Sequence, residues 1–365
     1  MRVTKLPVLW SLSNVSGALF QKPLFTALNI EGQALAVCSP SSIAKFAFEH
    51  EKKLLMAPPI LRGASSIPRF MWNAAASKRQ LSGLLREKAE LVHVTMQSPV
   101  DAYYLAAAKR AGVPTVLTIH DNARHLGEGS RILDAVEKLT LANADHIVTV
   151  SDFVFDEVKR KFKNKSVHVV RGGLLTRDEP GLKPRKAMHN PPRVLFLGRI
   201  HEYKGLALLL QSLELLDRQG HIVKLTIAGS GNLAPYSEAL LRRADVQIIN
   251  EWIDDATVLK LLGEHDILAL PYLEASQSGV AIDAQWGAMP AVATPAGALP
   301  QQFRHGVDAL ICKEVSAAAF ADSLKMLMND DRLYENLSQG AHQAYREKDL
   351  IAVARMWRDF YKLIA

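Results

Sequence analysis

The sequence predicts an α/β protein built from two doubly wound domains with parallel sheets. Short apolar runs rich in β-branched residues alternate with helical stretches along all 365 residues, which is typical of parallel strands covered by helices on both faces. The polar stretch 176–192 contains four prolines and predicts a linker, because proline and charge disfavour helix and strand interiors. We therefore expect two Rossmann-like domains that face one cleft.

In the N-terminal domain, residues 1–175, apolar runs predict strands at 6–11, 34–38, 91–95, 115–119, 146–149 and 167–170. Helical spacing predicts helices at 17–28, 41–51, 72–88, 100–111, 131–142 and 153–162. The first run, Leu6–Trp10, is broken by Pro7. It is too short for the apolar core of a signal peptide and predicts a buried strand instead.

In the second domain, residues 193–345, strands are predicted at 193–197, 223–228, 246–249, 267–271, 291–293 and 309–311. The predicted helices are 204–218, 234–243, 255–263, 279–287, 316–328 and 331–346. A last helix is predicted at 349–364, within the closing segment 346–365. Ligands in such sheets bind beyond the carboxyl ends of the strands, so the loops that follow strands are the candidate sites.

The composition excludes several classes of protein. With 48% hydrophobic and 22% charged residues, the chain is neither disordered nor fibrous. No apolar run approaches the roughly 18 residues that span a bilayer. Cys38 and Cys312 are too far apart in the sequence to suggest a zinc site or a disulfide framework, and two isolated thiols suit the cytoplasm.

The charge is unevenly distributed. Residues 1–175 carry 23 Lys and Arg against 14 Asp and Glu, a net +9, whereas residues 176–365 carry 21 against 23, a net −2. Lys52–Lys88 alone holds eight basic residues and one acid among apolar and aromatic residues. This composition favours an anionic membrane surface as partner, and a solvated basic surface is the alternative. Nucleic acid is not expected, because no reading motif accompanies the charge.

Three loops of the second domain are candidate ligand sites. After the strand 193–197, Gly198 permits a turn, and Arg199 and Lys204 flank a predicted helix start. Two cations beside backbone N–H groups suit phosphate, although a solvated basic helix start has the same pattern. Gly229 and Gly231 form a GxG turn, which is a weak signal alone.

The third loop, LPYLEASQSG, leads into a predicted helix. Ser278 and Gly279 lie where helix N–H groups would meet a diphosphate, with Glu274 near the hydroxyls of the ligand and Asp283 near a ribose. The alternative makes Ser278 a helix cap and Asp283 a solvated acid. In the first domain, His120, Asp121 and His125 follow a predicted strand. Their side chains could have a catalytic role, a structural role or a role as metal ligands.

These segments together resemble the retaining glycosyltransferases of family 4, which have the GT-B fold. The resemblance is carried by GRIHEYKGL, IAGSGN and the block from Asp266 to Ile311, and by TIHDNARHLGE, HIVTVSD and VHVVRGG in the first domain. It runs from about Leu91 to the C-terminus. The terminal helix with Trp357 and Tyr361 is similar to the helix that crosses back onto the first domain in that family.

The resemblance implies a role for each motif residue. Arg199 and Lys204, with Ser278 and Gly279, would neutralise a leaving nucleoside diphosphate, Glu274 would hold hydroxyls of the donor sugar, and His120 would contact the transferred sugar. The remaining implied positions are Gly198, Gly229, Gly231, Glu251, Ile253 and Asp283 for the nucleotide sugar, and Ser13, Ser16, Gly17 and Asp121 for the acceptor. The implied reaction retains the anomeric configuration, needs no metal or other cofactor, and uses a glycan or lipid-linked acceptor at the inner face of the cytoplasmic membrane.

Two departures from the family pattern concern the acids and the first loop. Glu274 and Asp283 have eight residues between them, where the family often has two glutamates with seven residues between them, and QSG replaces its usual turn. The first loop has SLSNVSG in place of a Gly-Gly pair. A GT-B nucleotide-sugar epimerase and a catalytically inactive sugar-nucleotide-binding scaffold remain alternatives, whereas VLWSLSNVSG lacks the fingerprint of a nicotinamide enzyme.

Overall fold

A computed structural model of the chain describes residues 5–11, 24–28, 34–38, 54–56, 83, 85, 87, 89–98, 101–120, 138–171, 181–241, 243, 245–348 and 350–364. The chain divides into two compact units. Unit 1 comprises Met1–Asp178 and Lys348–Ala365, and unit 2 comprises Glu179–Glu347.

The described strands follow the predicted alternation closely. They are β1 Leu6–Ser11, β2 Leu35–Cys38, β3 Leu54–Met56, β4 Ala89–Met96, β5 Thr115–Ile119, β6 His146–Thr149 and β7 Ser166–Val169 in unit 1, and β8 Arg193–Leu197, β9 Lys224–Ala228, β10 Val246–Ile249, β11 Ile267–Leu270, β12 Ala291–Ala293 and β13 Ala309–Ile311 in unit 2. The helices with described bounds are α1 Asp101–Arg110, α2 Asp152–Lys161, α3 Leu206–Arg218, α4 Ser237–Leu241, α5 Asp255–Glu264, α6 Gly279–Trp286, α7 Leu299–Gln302, α8 Ala317–Met328, α9 Asp331–Arg346 and α10 Leu350–Ile364.

Both sheets are parallel and have their first strand in an interior position. The order is β3-β2-β1-β4-β5-β6-β7 in unit 1 and β10-β9-β8-β11-β12-β13 in unit 2. In each, the chain builds outward from the first strand to one side and then returns to build on the other side. The prediction of two doubly wound α/β domains is confirmed. The reversal of strand order, between β1 and β4 and between β8 and β11, marks the crevice where such sheets bind ligands.

The two-residue period of the strands explains why each sheet is covered on both faces. Val8 packs into one hydrophobic cluster of unit 1 and its neighbour Leu9 into the other. In unit 2, Val194 and Leu195 divide in the same way. Successive side chains of a strand point to opposite faces, so an uninterrupted apolar run gives each face its own core.

The last helix, α10, belongs to unit 1. Its Trp357 is fully buried and Tyr361 is nearly so, and both join the cluster that contains Leu9 of β1 and Val116 of β5. The chain therefore leaves unit 2 after Glu347 and contributes one face of the core of unit 1 with its final helix.

Three features differ from the sequence-based expectation. The edge strand β3 was not predicted, and Leu54, Leu55 and Met56, expected as part of a membrane-facing surface, pair with β2. A three-residue run is too short to show a strand period. The helix predicted from Lys204 begins at Leu206, after a 3-10 turn at Glu202–Lys204.

The third difference concerns the predicted linker, of which residues 181–192 are described. They are fastened to unit 2 and do not form a loose connection. The Leu182 amide donates to the Trp286 carbonyl at 2.8 Å. The half-buried Arg185 guanidinium donates to the carbonyls of Ala288 and Leu262. Proline disfavours regular structure here, and main-chain and side-chain hydrogen bonds to unit 2 hold the irregular backbone instead.

Among the described residues, we find no helix that combines the length and apolarity needed to cross a bilayer.

Candidate active site

The candidate site of unit 2 lies at the carboxyl ends of β8, β9 and β11. These strands lie side by side at the reversal of strand order. The three loops that sequence analysis selected, after Leu197, Ala228 and Leu270, are therefore brought to one edge of one sheet. The crevice rule for doubly wound sheets predicts a ligand at this edge.

The loops after β8 and β9 continue to hydrogen-bond beyond the ends of their strands. The Gly198 amide donates to the Ala228 carbonyl, and the Ile200 amide donates to the Ser230 carbonyl, both at 2.9 Å. At Gly229, φ is 145° and an added Cβ would lie 1.9 Å from the Gly198 carbonyl oxygen. Only glycine allows this approach, so the weak GxG signal corresponds to a real packing requirement.

The side chain of Asn250, which directly follows β10, joins that strand to the same turn. The Asn250 side-chain oxygen accepts from the Gly231 amide, and its NH₂ donates to the Gly231 carbonyl, both at 3.0 Å. This two-point contact fixes the start of the segment that contains Glu251 and Ile253. Glu251 is exposed and Ile253 is half-buried.

The loops after β8 and β11 are joined through their main chains. The Leu273 amide donates to the Tyr203 carbonyl at 2.8 Å. Gly205 has φ 71°, and a Cβ there would lie 1.8 Å from the Pro271 carbonyl oxygen. The segments that contain Lys204 and Glu274 are thus held side by side across the strand-order reversal.

Two cations stand in the first of these loops. Arg199 is exposed, and its guanidinium donates to the Tyr203 hydroxyl at 3.1 Å. Lys204 is only 9% exposed, and its Nζ lies 3.8 Å from the centroid of the Tyr272 ring. A cation above an aromatic face keeps its charge and gains electrostatic stabilisation.

The N-terminus of α6 lies beside this loop, since Val280 borders Gly198. The Ser278 hydroxyl accepts from the Ala281 amide at 3.3 Å and therefore caps the helix. Gln302 holds the same turn twice, because its side-chain oxygen accepts from the Ser278 amide and its NH₂ donates to the Ser278 carbonyl. Gly279 is exposed, with open space where a Cβ would stand.

The two acids of the third loop lie in different surroundings. Glu274 is exposed on the loop after β11, whereas Asp283 in α6 is 4% exposed. The carboxylate of Asp283 therefore lies beneath the surface at which Glu274 and Gly279 are accessible. The serine of the QSG turn serves as the cap, the structural alternative considered for it above.

In unit 1, His120 directly follows β5. Its ring Nε2 lies 2.7 Å from the Thr95 carbonyl oxygen at the end of β4. A carbonyl only accepts, so Nε2 carries the hydrogen, and Nδ1 is the acceptor nitrogen of the neutral ring. This contact orients the imidazole at the carboxyl edge of the sheet.

A second histidine lies deeper in the same sheet. His93 of β4 is fully buried. One ring nitrogen lies 2.7 Å from the Tyr361 hydroxyl of α10 and the other 2.6 Å from the Thr118 hydroxyl of β5. Burial, and secondarily the nearby His120, lowers the pKa of His93 to about 3. A neutral imidazole thus connects the last helix to the strand that leads to His120.

Several predicted positions lie outside the described residues. These are Ser13, Ser16, Gly17, Asp121 and His125, and most of Lys52–Lys88. Within the described ranges, no group of three or more His, Cys, Asp or Glu side chains is arranged to hold a metal ion.

Sequence reasoning missed Tyr272, Gln302 and the clip made by Asn250. Tyr272 stands inside the LPYLEASQSG motif, but an aromatic residue beside a strand end has no distinctive signal. Gln302 is 24 positions from Ser278, and no local pattern reveals such a contact. Asn250 precedes Glu251 in the sequence, but its contact with Gly231, 19 positions away, has no local signal.

Two family models of known proteins match the two halves of the chain separately. The model described as Glycosyltransferase Family 4 matches residues 26–178, and the model described as Glycosyl transferases group 1 matches residues 191–330. The chain is 26% identical over 250 residues to a glycogen synthase of Mycobacterium tuberculosis, covering 66% of this chain and 60% of that protein. It thus spans about 60% of the length of that relative.

Two further similarities extend along most of the chain. An alpha-D-kanosaminyltransferase of Streptomyces kanamyceticus is 23% identical over 305 residues, covering 77% of this chain and 78% of that protein. The Anabaena protein Alr3699/HepE, crystallised in complex with UDP, superposes with a TM-score of 0.73 over 98% of this chain and 99% of that one, at 14% identity. The latter likeness confirms the expected fold.

Proposed function

Because this chain belongs with the glycosyltransferases of group 1 and family 4, we propose that it transfers a sugar from a nucleoside-diphosphate sugar to a glycan or lipid-linked acceptor. One observation carries the proposal. Arg199, Lys204 and the accessible N-terminus of α6 lie at the strand-order reversal of unit 2. Such an arrangement of cations and N–H groups suits a diphosphate.

The chemistry follows from the charges that develop as the donor breaks down. Departure of a nucleoside diphosphate from the anomeric carbon leaves negative charge on phosphate and positive charge on the sugar. Arg199 and Lys204 stabilise the phosphate charge, and the N–H groups at Gly279 add to it, because these groups are held in position before the reaction starts. Ser278 contributes by ordering that helix start.

The remaining contacts are assigned by the family pattern together with exposure. Glu274 is exposed and holds hydroxyls of the donor sugar, while Glu251 and Ile253 border the nucleotide base near the turn of Gly229 and Gly231. His120 contacts the transferred sugar, and Ser13, Ser16, Gly17 and Asp121 belong to the acceptor side. Asp283 is buried, so it reaches a ribose only if that ribose enters beneath the loop of Glu274.

We propose that the reaction retains the anomeric configuration by front-face attack, with the leaving phosphate taking the proton of the acceptor hydroxyl, and that it needs no metal. Both features rest on the resemblance to the family. Anomeric analysis of the product by NMR tests the first, and turnover after chelation with EDTA tests the second.

Nucleotide binding is the first test. We expect UDP, GDP or ADP, alone or with a sugar attached, to raise the unfolding temperature. If none of the three stabilises the chain, the diphosphate site is wrong. The stabilising nucleotide sugar is then offered with glycan and polyprenyl-diphosphate acceptors. Turnover that depends on an acceptor supports transfer, product formed without one indicates the epimerase alternative, and binding without any product indicates a scaffold.

A lipid-linked acceptor requires the enzyme to work at a membrane surface. We propose that Lys52–Lys88 provides peripheral contact with an anionic leaflet at the inner face of the cytoplasmic membrane. The proposal rests on sequence composition, with eight basic residues among apolar ones. Each Lys or Arg near an anionic leaflet contributes about 1 kcal/mol, which salt screens.

Unit 1 offers a matched control for this proposal. Replacing Lys78, Arg79, Arg86 and Lys88 with Gln should reduce co-sedimentation with vesicles of phosphatidylglycerol and leave nucleotide binding intact. The control replaces four exposed basic residues at the end of α2, namely Lys159, Arg160, Lys161 and Lys163. Equal losses from the two sets would mean that general charge, and not this segment, drives binding. No binding by the wild type at low salt would favour a soluble acceptor.

A further inference from the structure

Tyr272 is the residue that links the two parts of the proposed diphosphate site. It follows β11 and is 1% exposed. Its ring face carries the Lys204 Nζ at 3.8 Å from the centroid, and its hydroxyl lies 3.2 Å from the Ser278 Oγ that caps α6. One buried side chain thus contacts both the cation and the start of the helix.

The backbone around Tyr272 is fixed on both sides. Its carbonyl accepts from the Thr294 hydroxyl at 2.6 Å. The residues that precede and follow it, Pro271 and Leu273, contact Gly205 and Tyr203 of the lysine loop. The ring is therefore held beneath Lys204 by main-chain contacts, and these do not depend on the lysine itself.

The phenol remains neutral because burial raises its pKa well above the usual range. A neutral ring attracts an ammonium through its quadrupole and does not cancel the charge. Lysine has a flexible four-carbon stem, so an unsupported ammonium would sample several positions. A ring face that holds one position reduces the ordering needed when phosphate arrives.

We infer that Tyr272 is a positioning residue for the nucleoside diphosphate, holding the Lys204 ammonium on its ring face and the α6 cap through its hydroxyl. The inference rests on the proposed function, and it adds a residue to which no role in that function was assigned. Tyr272 acts through Lys204 and Ser278 and does not itself touch the substrate.

The test is a double-mutant cycle on the affinity of whichever of UDP, GDP and ADP binds most tightly, measured by calorimetry. Tyr272→Leu removes the ring and should weaken binding about tenfold. Lys204→Met should weaken it about 100-fold. The double variant should match Lys204→Met within about threefold, because the ring acts through the lysine and only the hydroxyl contact with Ser278 remains to be lost.

Two control variants, Tyr272→Phe and Tyr334→Leu, test whether the ring face of Tyr272 itself is responsible for the loss of affinity. The first keeps the ring and loses only the hydroxyl contact, so its affinity should stay within about threefold of the wild type. The second removes a tyrosine of unit 2 that is 0% exposed and lies in another hydrophobic cluster of that unit. It should lower stability as Tyr272→Leu does and leave nucleotide affinity unchanged.

Two results would overturn the inference. Additive losses in the double variant would mean that Tyr272 only supports the fold, and equal losses from the Phe and Leu variants would exclude the ring face. An NMR measurement separates this inference from the proposed function. In 13C-lysine-labelled protein, assigned with Lys204→Arg, the ε protons of Lys204 should be shifted upfield by the ring, and Tyr272→Leu should abolish the shift. If that shift is present and no nucleotide binds, the contact stands and the proposed function fails.

Discussion

In unit 2 the loops beyond β8, β9 and β11 meet main chain to main chain, with further side-chain contacts from Asn250 and Gln302, whereas at the ends of β4 and β5 in unit 1 the described contact is made by the side chain of His120. Gly198, Gly229 and Gly205 let neighbouring loops of unit 2 approach to distances that a Cβ would prevent. In unit 1, His120 binds the end of β4, and His93 connects β4, β5 and α10 through two hydroxyls.

This difference suits the two tasks we propose, which are diphosphate binding by unit 2 and contact with the transferred sugar and the acceptor by unit 1. A diphosphate is recognised by fixed charges and N–H groups, so a stiff framework that needs no reorganisation is an advantage. Backbone contacts provide that stiffness at the cost of tolerating almost no substitution at the glycines. Side-chain contacts tolerate more substitution, which suits the acceptor side that we propose for unit 1.

The largest expected effect compares two glycines with the same backbone angle, one in each unit. Gly205 and Gly112 both have φ 71°, but a Cβ at Gly205 would meet the Pro271 carbonyl, whereas Gly112 has open space around it. Gly112→Ala should cost about 1 kcal/mol of stability, from the left-handed conformation alone. Gly205→Ala adds a steric displacement and should cost about 3 kcal/mol.

Unfolding in urea measures the stability of both variants, and amide hydrogen exchange of residues 199–205 and 272–274 shows where the loss occurs. Gly205→Ala should also abolish nucleotide binding. Equal costs for the two glycines would mean that the loops of unit 2 shift freely, and the contrast between the units would fail.

Lys204→Ala comes next and tests the charge held on that framework. It should lower kcat/KM by at least about 100-fold, comparable to the loss of one electrostatic stabiliser, with little change in stability. Lys260→Ala, an exposed lysine of α5 in the same unit, serves as the control. Near-normal turnover by folded Lys204→Ala would remove this lysine from the mechanism.

The difference between local and long-range contacts explains which features of the structure the sequence could predict. Strands such as Thr115–Ile119 and Arg193–Leu197 were predicted at their observed bounds, because a continuous apolar run with β-branched residues has a local cause. The loop of Gly198, Arg199 and Lys204 was found because its residues lie close together in the sequence. Its role in diphosphate binding remains a prediction.

Contacts between distant segments could not be read from local patterns. The clasp of Gln302 on Ser278 and the bond between His93 and Tyr361 join residues 24 and 268 positions apart. The strand Leu54–Met56 was missed because only its pairing with β2, not its own three residues, defines it. Sequence reasoning therefore succeeded where the backbone rule is local and failed where tertiary pairing decides.

His120→Ala tests whether the two edges have separate tasks. We expect nucleoside-diphosphate affinity to stay within about twofold of the wild type, while kcat falls at least about tenfold through loss of a hydrogen bond to the reacting sugar. His221→Ala is the control, because His221 precedes the amino end of β9 and so lies at the opposite edge of the sheet from the site. If nucleotide affinity falls together with turnover, His120 belongs to nucleotide binding and not to the sugar.

The smallest expected effect concerns the side-chain connection inside unit 1 and its dependence on pH. His93 has a pKa of about 3 in the folded protein, against about 6.5 in an unfolded chain. Below pH 6.5 the unfolded state therefore takes up a proton that the folded state refuses, so stability is lost as the pH falls. For this one group, the loss between pH 6.5 and 5.5 is about 1 kcal/mol. Carboxylates contribute little in that window because most of them stay ionised.

His93→Phe isolates this contribution, because the readout is the change in stability between pH 6.5 and 5.5 and not the stability itself. The variant leaves the hydroxyls of Thr118 and Tyr361 without their imidazole and should be less stable at both pH values. Its loss on acidification should nevertheless be smaller than that of the wild type by about 1 kcal/mol. His189→Phe removes a half-exposed histidine of unit 2 and should leave the pH response of unit 1 unchanged. A wild-type slope in His93→Phe would mean that His93 takes up its proton in the folded state, in which case burial does not lower its pKa as expected.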